Sequence, residues 1–294
     1  MTTSRRVLIT GARGLIGQLL HRALAEDYEV VGVDRRGRGG KDGLSWADTT
    51  RLRHAERAVE GADVVIDLAS AHWQQPWDVV RRNNIPAAWN TLEAAHRRGV
   101  RRVIYASSNH VTGLYERDDP YARIVAGKYD GLDPATVPRI NTAMALRPDT
   151  PYGVGKALGE AAARYYAEEH GLPVLCLRIG TLNRAGRPSV ARHFATLLTH
   201  ADMARLVRCC IEAPPDLTFG VFYGVSANRW RIWDIDDARH AIGYEPRDDA
   251  EMWRGEVGSS GGPDAFASSA SKVSRLRAVL RGRVSGAGQP KVQA

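Results

Sequence analysis

The sequence predicts an α/β protein built on a doubly wound parallel sheet. Three observations carry that prediction. Short β-branched runs alternate with stretches of helical apolar spacing through the first half of the chain. The first run breaks into a glycine-punctuated turn that opens a helix, and 294 residues are enough to bury a full core.

Taken in order, Arg6–Thr10 reads as the first strand and Leu15–Ala25 as the first helix. Glu29–Val33 is a buried strand that ends at Asp34, and a third strand is expected just before Asp48. Asp63–Leu68 and Val103–Ala106 are further apolar runs, separated by the helical stretch Trp77–Arg98. Runs buried on both faces and joined by helices imply parallel pairing. Another helix opens near Pro151 and runs to about His170, where Gly171 and Pro173 stop it before the strand Val174–Arg178. Two regions break the rhythm. Between Glu116 and Asp149 the chain is punctuated by prolines and shows little periodicity, which predicts a long irregular insertion. From residue 258 the run Gly-Ser-Ser-Gly-Gly-Pro reads as a linker, so 1–257 is expected to form the folded unit. Residues 258–294 are expected to form a basic, flexible tail, with one amphipathic stretch at Lys272–Leu280.

Composition excludes several classes. No apolar run approaches the roughly 18–20 residues that span a bilayer, so no membrane association is expected. The basic start gives way at once to Val7-Leu8-Ile9 and a Thr-Gly turn, which is a first strand rather than a signal peptide. The three cysteines, Cys176, Cys209 and Cys210, form no disulfide framework and no C-x-x-C pair, and a reducing cytoplasm suits them. No metal centre is expected. The net charge of +8 invites a nucleic-acid reading, but the segment from Ser259 carries +5 of it. Nothing in the nearly balanced body interleaves a basic helix with base-stacking aromatics, so no nucleic-acid partner is expected. The expected partner is a small molecule, and the expected assembly a homo-oligomer.

The chemistry starts at Thr10-Gly11-Ala12-Arg13-Gly14-Leu15-Ile16-Gly17, which follows a strand and opens a helix. Gly11 permits the tight turn, Gly14 lets backbone approach a pyrophosphate at the helix N-terminus, and Gly17 lets the helix pack close to the sheet. This marks a Rossmann-like dinucleotide site. Asp34, seventeen residues beyond Gly17, can accept hydrogen bonds from the adenosine ribose and repel a 2′-phosphate, which favours NAD over NADP. Arg35 and Arg36 beside it can instead hold a 2′-phosphate or face solvent. Asp48 can reach the adenine or sit on an exposed loop. The cofactor residues are therefore expected to be Gly11, Arg13, Gly14, Leu15, Ile16, Gly17, Asp34, Asp48 and Leu68, joined by Tyr152 and Lys156.

Tyr152 and Lys156 lie four residues apart, one helical turn from each other on one face. The ammonium favours the phenolate, and a phenolate beside a nicotinamide can take a hydroxyl proton while hydride leaves the same carbon. Ser107-Ser108-Asn109-His110 leaves the C-terminal end of the Val103 strand, where open α/β sheets place their chemistry. The Ser108 hydroxyl can bridge the reacting oxygen and Tyr152, or cap a turn. Asn109 and His110 are candidates to bind substrate or to complete the local packing.

The T-G-x-x-G-x-x-G start and the Y-x-x-x-K pair resemble the extended short-chain dehydrogenase/reductase superfamily. Ser107-Ser108-Asn109-His110, Tyr152-Gly153-Val154-Gly155-Lys156, Arg178-Ile179-Gly180 and Tyr223-Gly224-Val225-Ser226-Ala227-Asn228 resemble uronate dehydrogenases more narrowly, and the likeness runs from about Arg6 to Trp253. The resemblance implies a small C-terminal substrate-binding lobe, mainly 179–257, and oxidation of a hexuronic acid at C1 by NAD to an aldarolactone. It makes Tyr152 the base, Lys156 its electrostatic partner and Ser108 the hydroxyl partner. Asn109 and His110 would hold sugar hydroxyls, and Arg192 the substrate carboxylate, a task for which Arg184 and Arg187 compete. A guanidinium suits it because it grips a carboxylate with two parallel hydrogen bonds.

The chain also departs from that family. His72 stands where a serine faces the sugar, Thr181 replaces a serine after Arg178-Ile179-Gly180, and Trp253 replaces a phenylalanine near the pocket. The Glu116–Asp149 stretch is longer than the corresponding loop. The rival readings are a dehydrogenase of another sugar or sugar phosphate, a sugar epimerase on the same scaffold, and a non-catalytic nucleotide-sensing protein. With only about eighty residues between the Val174 strand and the linker, a lobe for a nucleotide diphosphate is not expected.

Overall fold

The computed structural model describes residues 5–37 and 44–257. The expected tail beyond Val257, with its Lys272–Leu280 stretch, lies outside the described residues.

Seven strands, β1 (Arg6–Thr10), β2 (Glu29–Asp34), β3 (Ser45–Trp46), β4 (Val64–Asp67), β5 (Arg102–Ser108), β6 (Val174–Ile179) and β7 (Phe219–Gly224), form one sheet in the order β3-β2-β1-β4-β5-β6-β7. Every pairing is parallel. The strand order turns around between β1 and β4, and that is where an open α/β sheet leaves a crevice.

Alternation along each strand sorts its side chains between two cores. Val7, Ile9, Val64, Ile66, Ile104, Leu175 and Leu177 face α1 (Leu15–Leu24), α6 (His200–Glu212) and α7 (Asp236–Ile242). Leu8, Val65, Val103, Tyr105, Val174 and Cys176 face α2 (Leu52–Ala58), α3 (Trp77–Arg97) and α5 (Pro151–His170). Each fully buried aliphatic side chain contributes about 1.5–3 kcal/mol, so both layers are held chiefly by burial. Trp89, Leu158 and Tyr165 stay exposed on the outer faces of α3 and α5 and line a cleft of about 410 Å³ between them.

The expected insertion is irregular, with no helix or strand from 126 to 150, but it is packed against the body of the protein. It carries a short 3-10 segment at 113–117 and α4 (Tyr121–Val125), and its Ile140 amide and carbonyl bond the Ile232 carbonyl and the Asp234 amide. Tyr121, Ile124, Val137 and Ile140 pack with Tyr223, Trp230, Ile232 and Trp233 into a third core. Its apolar residues are too widely spaced to show a period, because they pack on a distant segment rather than along one element. Cys176 is buried in the second core.

Candidate active site

The crevice is tied together by Thr10. Its hydroxyl donates to Asp67 Oδ1 at 2.6 Å and accepts the Leu68 and Ala69 amides at 3.1 Å, which locks the loops after β1 and β4 side by side. Burial pushes the Asp67 carboxyl up to about 6 against the pull of Thr10 and the more distant charge of Lys156. Gly11 has φ +65, and a Cβ there would stand 2.9 Å from the Leu68 carbonyl oxygen, so only glycine fits this turn. Gly17 has a different role from the expected one. Its missing Cβ leaves room for Ala12 of the glycine turn, 2.7 Å away, rather than for the sheet.

A cleft of about 600 Å³ opens over this turn and is lined by Gly11, Gly14, Leu15, Asp34, Asp48, Leu68 and His72 among others. Helix α1 begins at Gly14 with no side-chain cap and no acidic residue in its first turn. Its leading amides and the positive end of its dipole are thus presented without a competing side chain, and a pyrophosphate fits there. Arg13 contributes through its backbone, whose amide donates to Asp34 Oδ2 at 3.0 Å. Ile16 turns its side chain into the first core.

Asp34 differs from expectation. Besides the Arg13 amide, it accepts the Arg36 amide at 2.8 Å and both Nε and Nη2 of Arg36 at 3.0 Å. Burial works against its charge, yet these donors more than offset it and hold its pKa below the usual carboxylate range. A carboxylate offers about four acceptor sites, and these are filled. Ribose hydroxyls can bind Asp34 only once the Arg36 side chain, 62% exposed, moves aside. Asp48 accepts the amide and hydroxyl of Thr50 on the far wall of the cleft.

Helix α5 starts at Thr150, whose hydroxyl accepts the Gly153 amide at 3.1 Å, with Pro151 in the first turn. A Cβ on Gly153 would lie 2.2 Å from the His110 carbonyl oxygen, so the helix can press against the end of β5 only with glycine there. Tyr152 meets His110 edge to face at 5.9 Å between centroids. Lys156 is buried, donates to the Ala106 carbonyl, and stands 5.6 Å from the Tyr152 ring centroid. Ser108 ends β5, and its hydroxyl accepts the His110 amide at 3.2 Å; Asn109 is buried in the turn that follows. Tyr152, Lys156, Ser108, Asn109 and His110 thus meet at the C-terminal end of β5.

Sequence reasoning missed three partners. Asp149 holds His110 Nδ1 at 2.9 and 3.0 Å. Trp73 stacks on His110 at 5.3 Å, while the expected substrate residue His72 is exposed on the nucleotide cleft and meets only the edge of this cluster through Trp73. Glu116 holds Arg192 bidentately, with Nε to Oε2 and Nη2 to Oε1 both at 2.6 Å. Burial disfavours the Arg192 charge, but Glu116 outweighs it and raises the pKa above the ordinary guanidinium range. Asp149 had a signal, standing directly before the Thr150-Pro151 cap. Glu116 had none, since 76 residues separate it from Arg192.

Thr181 joins Arg192 Nη1 and Thr196 Oγ1 at 2.8 Å each. Trp253 packs on Phe194, Leu197 and Ala250 as part of a small satellite core. Of the competing arginines, Arg184 is exposed and Arg187 pairs with Glu256 at the surface. Among the described residues no helix is long and apolar enough to cross a membrane.

Comparison with known proteins gives a consistent result. The sequence profile of the NAD dependent epimerase/dehydratase family matches residues 7–207. An NAD-dependent glucose-6-phosphate dehydrogenase from Haloferax volcanii is 34% identical over 83% of this chain and 94% of its own length. An L-arabinose 1-dehydrogenase (NAD(P)(+)) from the same organism is 35% identical over 83% of this chain and 97% of its own length. The crystal structure of a glucuronic acid dehydrogenase from Chromohalobacter salexigens superimposes with a TM-score of 0.75 at 31% identity, covering 88% of this chain and 91% of that one.

Proposed function

The chain belongs to the NAD dependent epimerase/dehydratase family, and from that premise we propose that it is an NAD-dependent dehydrogenase oxidising a sugar at its anomeric carbon to the lactone. The observation that carries the reading is the meeting of Tyr152, Lys156 and Ser108 at the end of β5 beside the nucleotide cleft. The named relatives, all sugar dehydrogenases, support it.

Bound NAD supplies the hydride acceptor. Gly11, Gly14 and the first turn of α1 would hold its pyrophosphate, and Asp48 and, once Arg36 moves aside, Asp34 would border its adenosine. Tyr152 takes the proton of the anomeric hydroxyl, and Ser108 steadies that oxygen by hydrogen bonding. Lys156, fixed by the Ala106 carbonyl, stabilises the negative charge that develops on the Tyr152 oxygen. His110, oriented by Asp149 and backed by Trp73, and Asn109 bind ring hydroxyls. The hexuronate form of this reading assigns Arg192 to the substrate carboxylate and Thr181 and Trp253 to the surrounding wall. A homo-oligomer belongs to the same proposal, and the exposed apolar faces of α3 and α5 are the surface it would cover.

The test is NADH formation by the purified protein on a panel of aldoses, hexuronates and sugar phosphates. Turnover of some of these sugars with NAD supports the reading. Silence on every one, in protein that binds NAD, ends it.

A further inference from the structure

The Arg192 fork, the feature that would grip a hexuronate, is occupied by the chain itself. Its two parallel donors meet both oxygens of Glu116, and the remaining nitrogen donates to Thr181. Arg192 and Glu116 are only 16% and 14% exposed. A substrate carboxylate could take the fork only by expelling Glu116, which would leave a largely buried carboxylate without its cation. The pair is not remote from the chemistry. Glu116 sits on the 3-10 segment 113–117, whose Gly113 lies directly against the Asp149 carboxylate, and Asp149 orients His110 against Tyr152.

Glu116 and Asp149 set two carboxylates against the single Arg192 guanidinium on this side of the site. An anionic sugar arm entering it is repelled by the two carboxylates. The hydroxyls of an uncharged sugar, in contrast, are donors, and carboxylate oxygens are their strongest acceptors. We propose that Glu116 is a specificity-determining residue that fits this site to an uncharged aldose, with Arg192 serving to hold Glu116 in place. The proposal rests on the sugar-dehydrogenase reading and names its substrate class. The carboxylate comes from the 3-10 segment 113–117, where the 116–149 insertion begins. Glucose 6-phosphate is disfavoured for the same reason as glucuronate.

Glucose, glucuronate and glucose 6-phosphate share one ring and differ in the charge at the sixth carbon, so they isolate this effect. Wild type, Glu116→Gln and Glu116→Ala are assayed for NADH formation on all three, with melting temperature as the check on folding. Glu116→Gln keeps the shape and removes the charge. The expected result is a wild-type preference for glucose, and a glucuronate-to-glucose ratio of kcat/KM that rises about tenfold or more in both variants, mainly through KM. A wild-type preference for glucuronate or glucose 6-phosphate overturns the proposal. So does an equal loss on all three sugars in the variants, which is the behaviour of a structural strut. If none of the three sugars reduces NAD in any of the three proteins, this inference falls, while the sugar-dehydrogenase reading stands or falls on the wider panel.

Discussion

Glu160 grips Arg178 through both carboxylate oxygens, Nε to Oε1 and Nη2 to Oε2 at 2.9 Å each, with neither residue more than 7% exposed. Glu160 lies one turn beyond Lys156 on α5 and Arg178 lies on β6, so the pair fastens the helix carrying Tyr152 to the sheet. Ser107 donates to the same carboxylate, and Tyr223 accepts from Arg178 Nη1.

Removing one partner strands the other charge in the core. Arg178→Met is expected to cost about 3–5 kcal/mol of stability in urea unfolding, and the double variant with Glu160→Leu less than the two singles summed. A cost below about 1 kcal/mol for Arg178→Met would show that the pair does not hold the helix.

Tyr152→Phe removes the proton acceptor and leaves the ring on His110. Turnover is expected to fall about 10²–10⁴-fold, while NADH affinity, read by fluorescence titration, weakens by less than about tenfold. Undiminished turnover sinks the catalytic assignment.

Asp149→Asn replaces a charge-assisted bond to His110 Nδ1 with a neutral one of about half its strength. A fall in kcat/KM for the sugar of about tenfold is expected, with the KM for NAD unmoved. Equal losses toward sugar and NAD would point instead to a general loosening of α5.

Arg36→Ala uncovers two acceptor sites on Asp34. Because the arginine is mostly exposed, the ion pair is worth only about 0.2–1 kcal/mol, so the KM for NAD is expected to fall by up to about fivefold. Activity with NADP is expected to fall, since the bared carboxylate repels a 2′-phosphate. An NADP preference in the variant would contradict this account of the cleft.

Asp67 makes stability depend on pH in the unusual direction. Its folded pKa of about 6 lies above the ordinary carboxylate value of 3.8, so the folded state binds the extra proton between those values. Its contribution is therefore favourable below that window and is lost as pH rises through about 6, by about 2–3 kcal/mol in all. Asp67→Asn keeps an acceptor for Thr10 and removes the titration. The variant's stability relative to wild type should rise as pH is raised from the lower to the upper pKa, measured by urea unfolding across that range; a constant difference would refute the assignment.

How much of this was legible depends on distance along the chain. The run Arg6–Thr10, the helix Pro151–His170 and its stop at Gly171 all appear in the structure, because each is set by local periodicity and caps. β5 extends two residues beyond the expected Val103–Ala106, since Ser107 and Ser108 pair with Arg178 and Ile179, which no local pattern announces. β7, with glycine at two of its six positions, gave no strand signal and is held by β6 alone.

The sequence by itself determined the parallel sheet, the nucleotide crevice and the Tyr152/Lys156 face, because strand alternation, a glycine turn and a one-turn spacing are local constraints on backbone and side-chain direction. Only the tertiary structure decided what surrounds them. Asp149 on His110, Trp73 over the same ring, Arg36 across Asp34 and Glu116 in the fork of Arg192 are side-chain encounters created when the insertion and the sheet edges fold together. A guanidinium reads the same in sequence whether it awaits a substrate or is already neutralised, and its partner's position in space decides which.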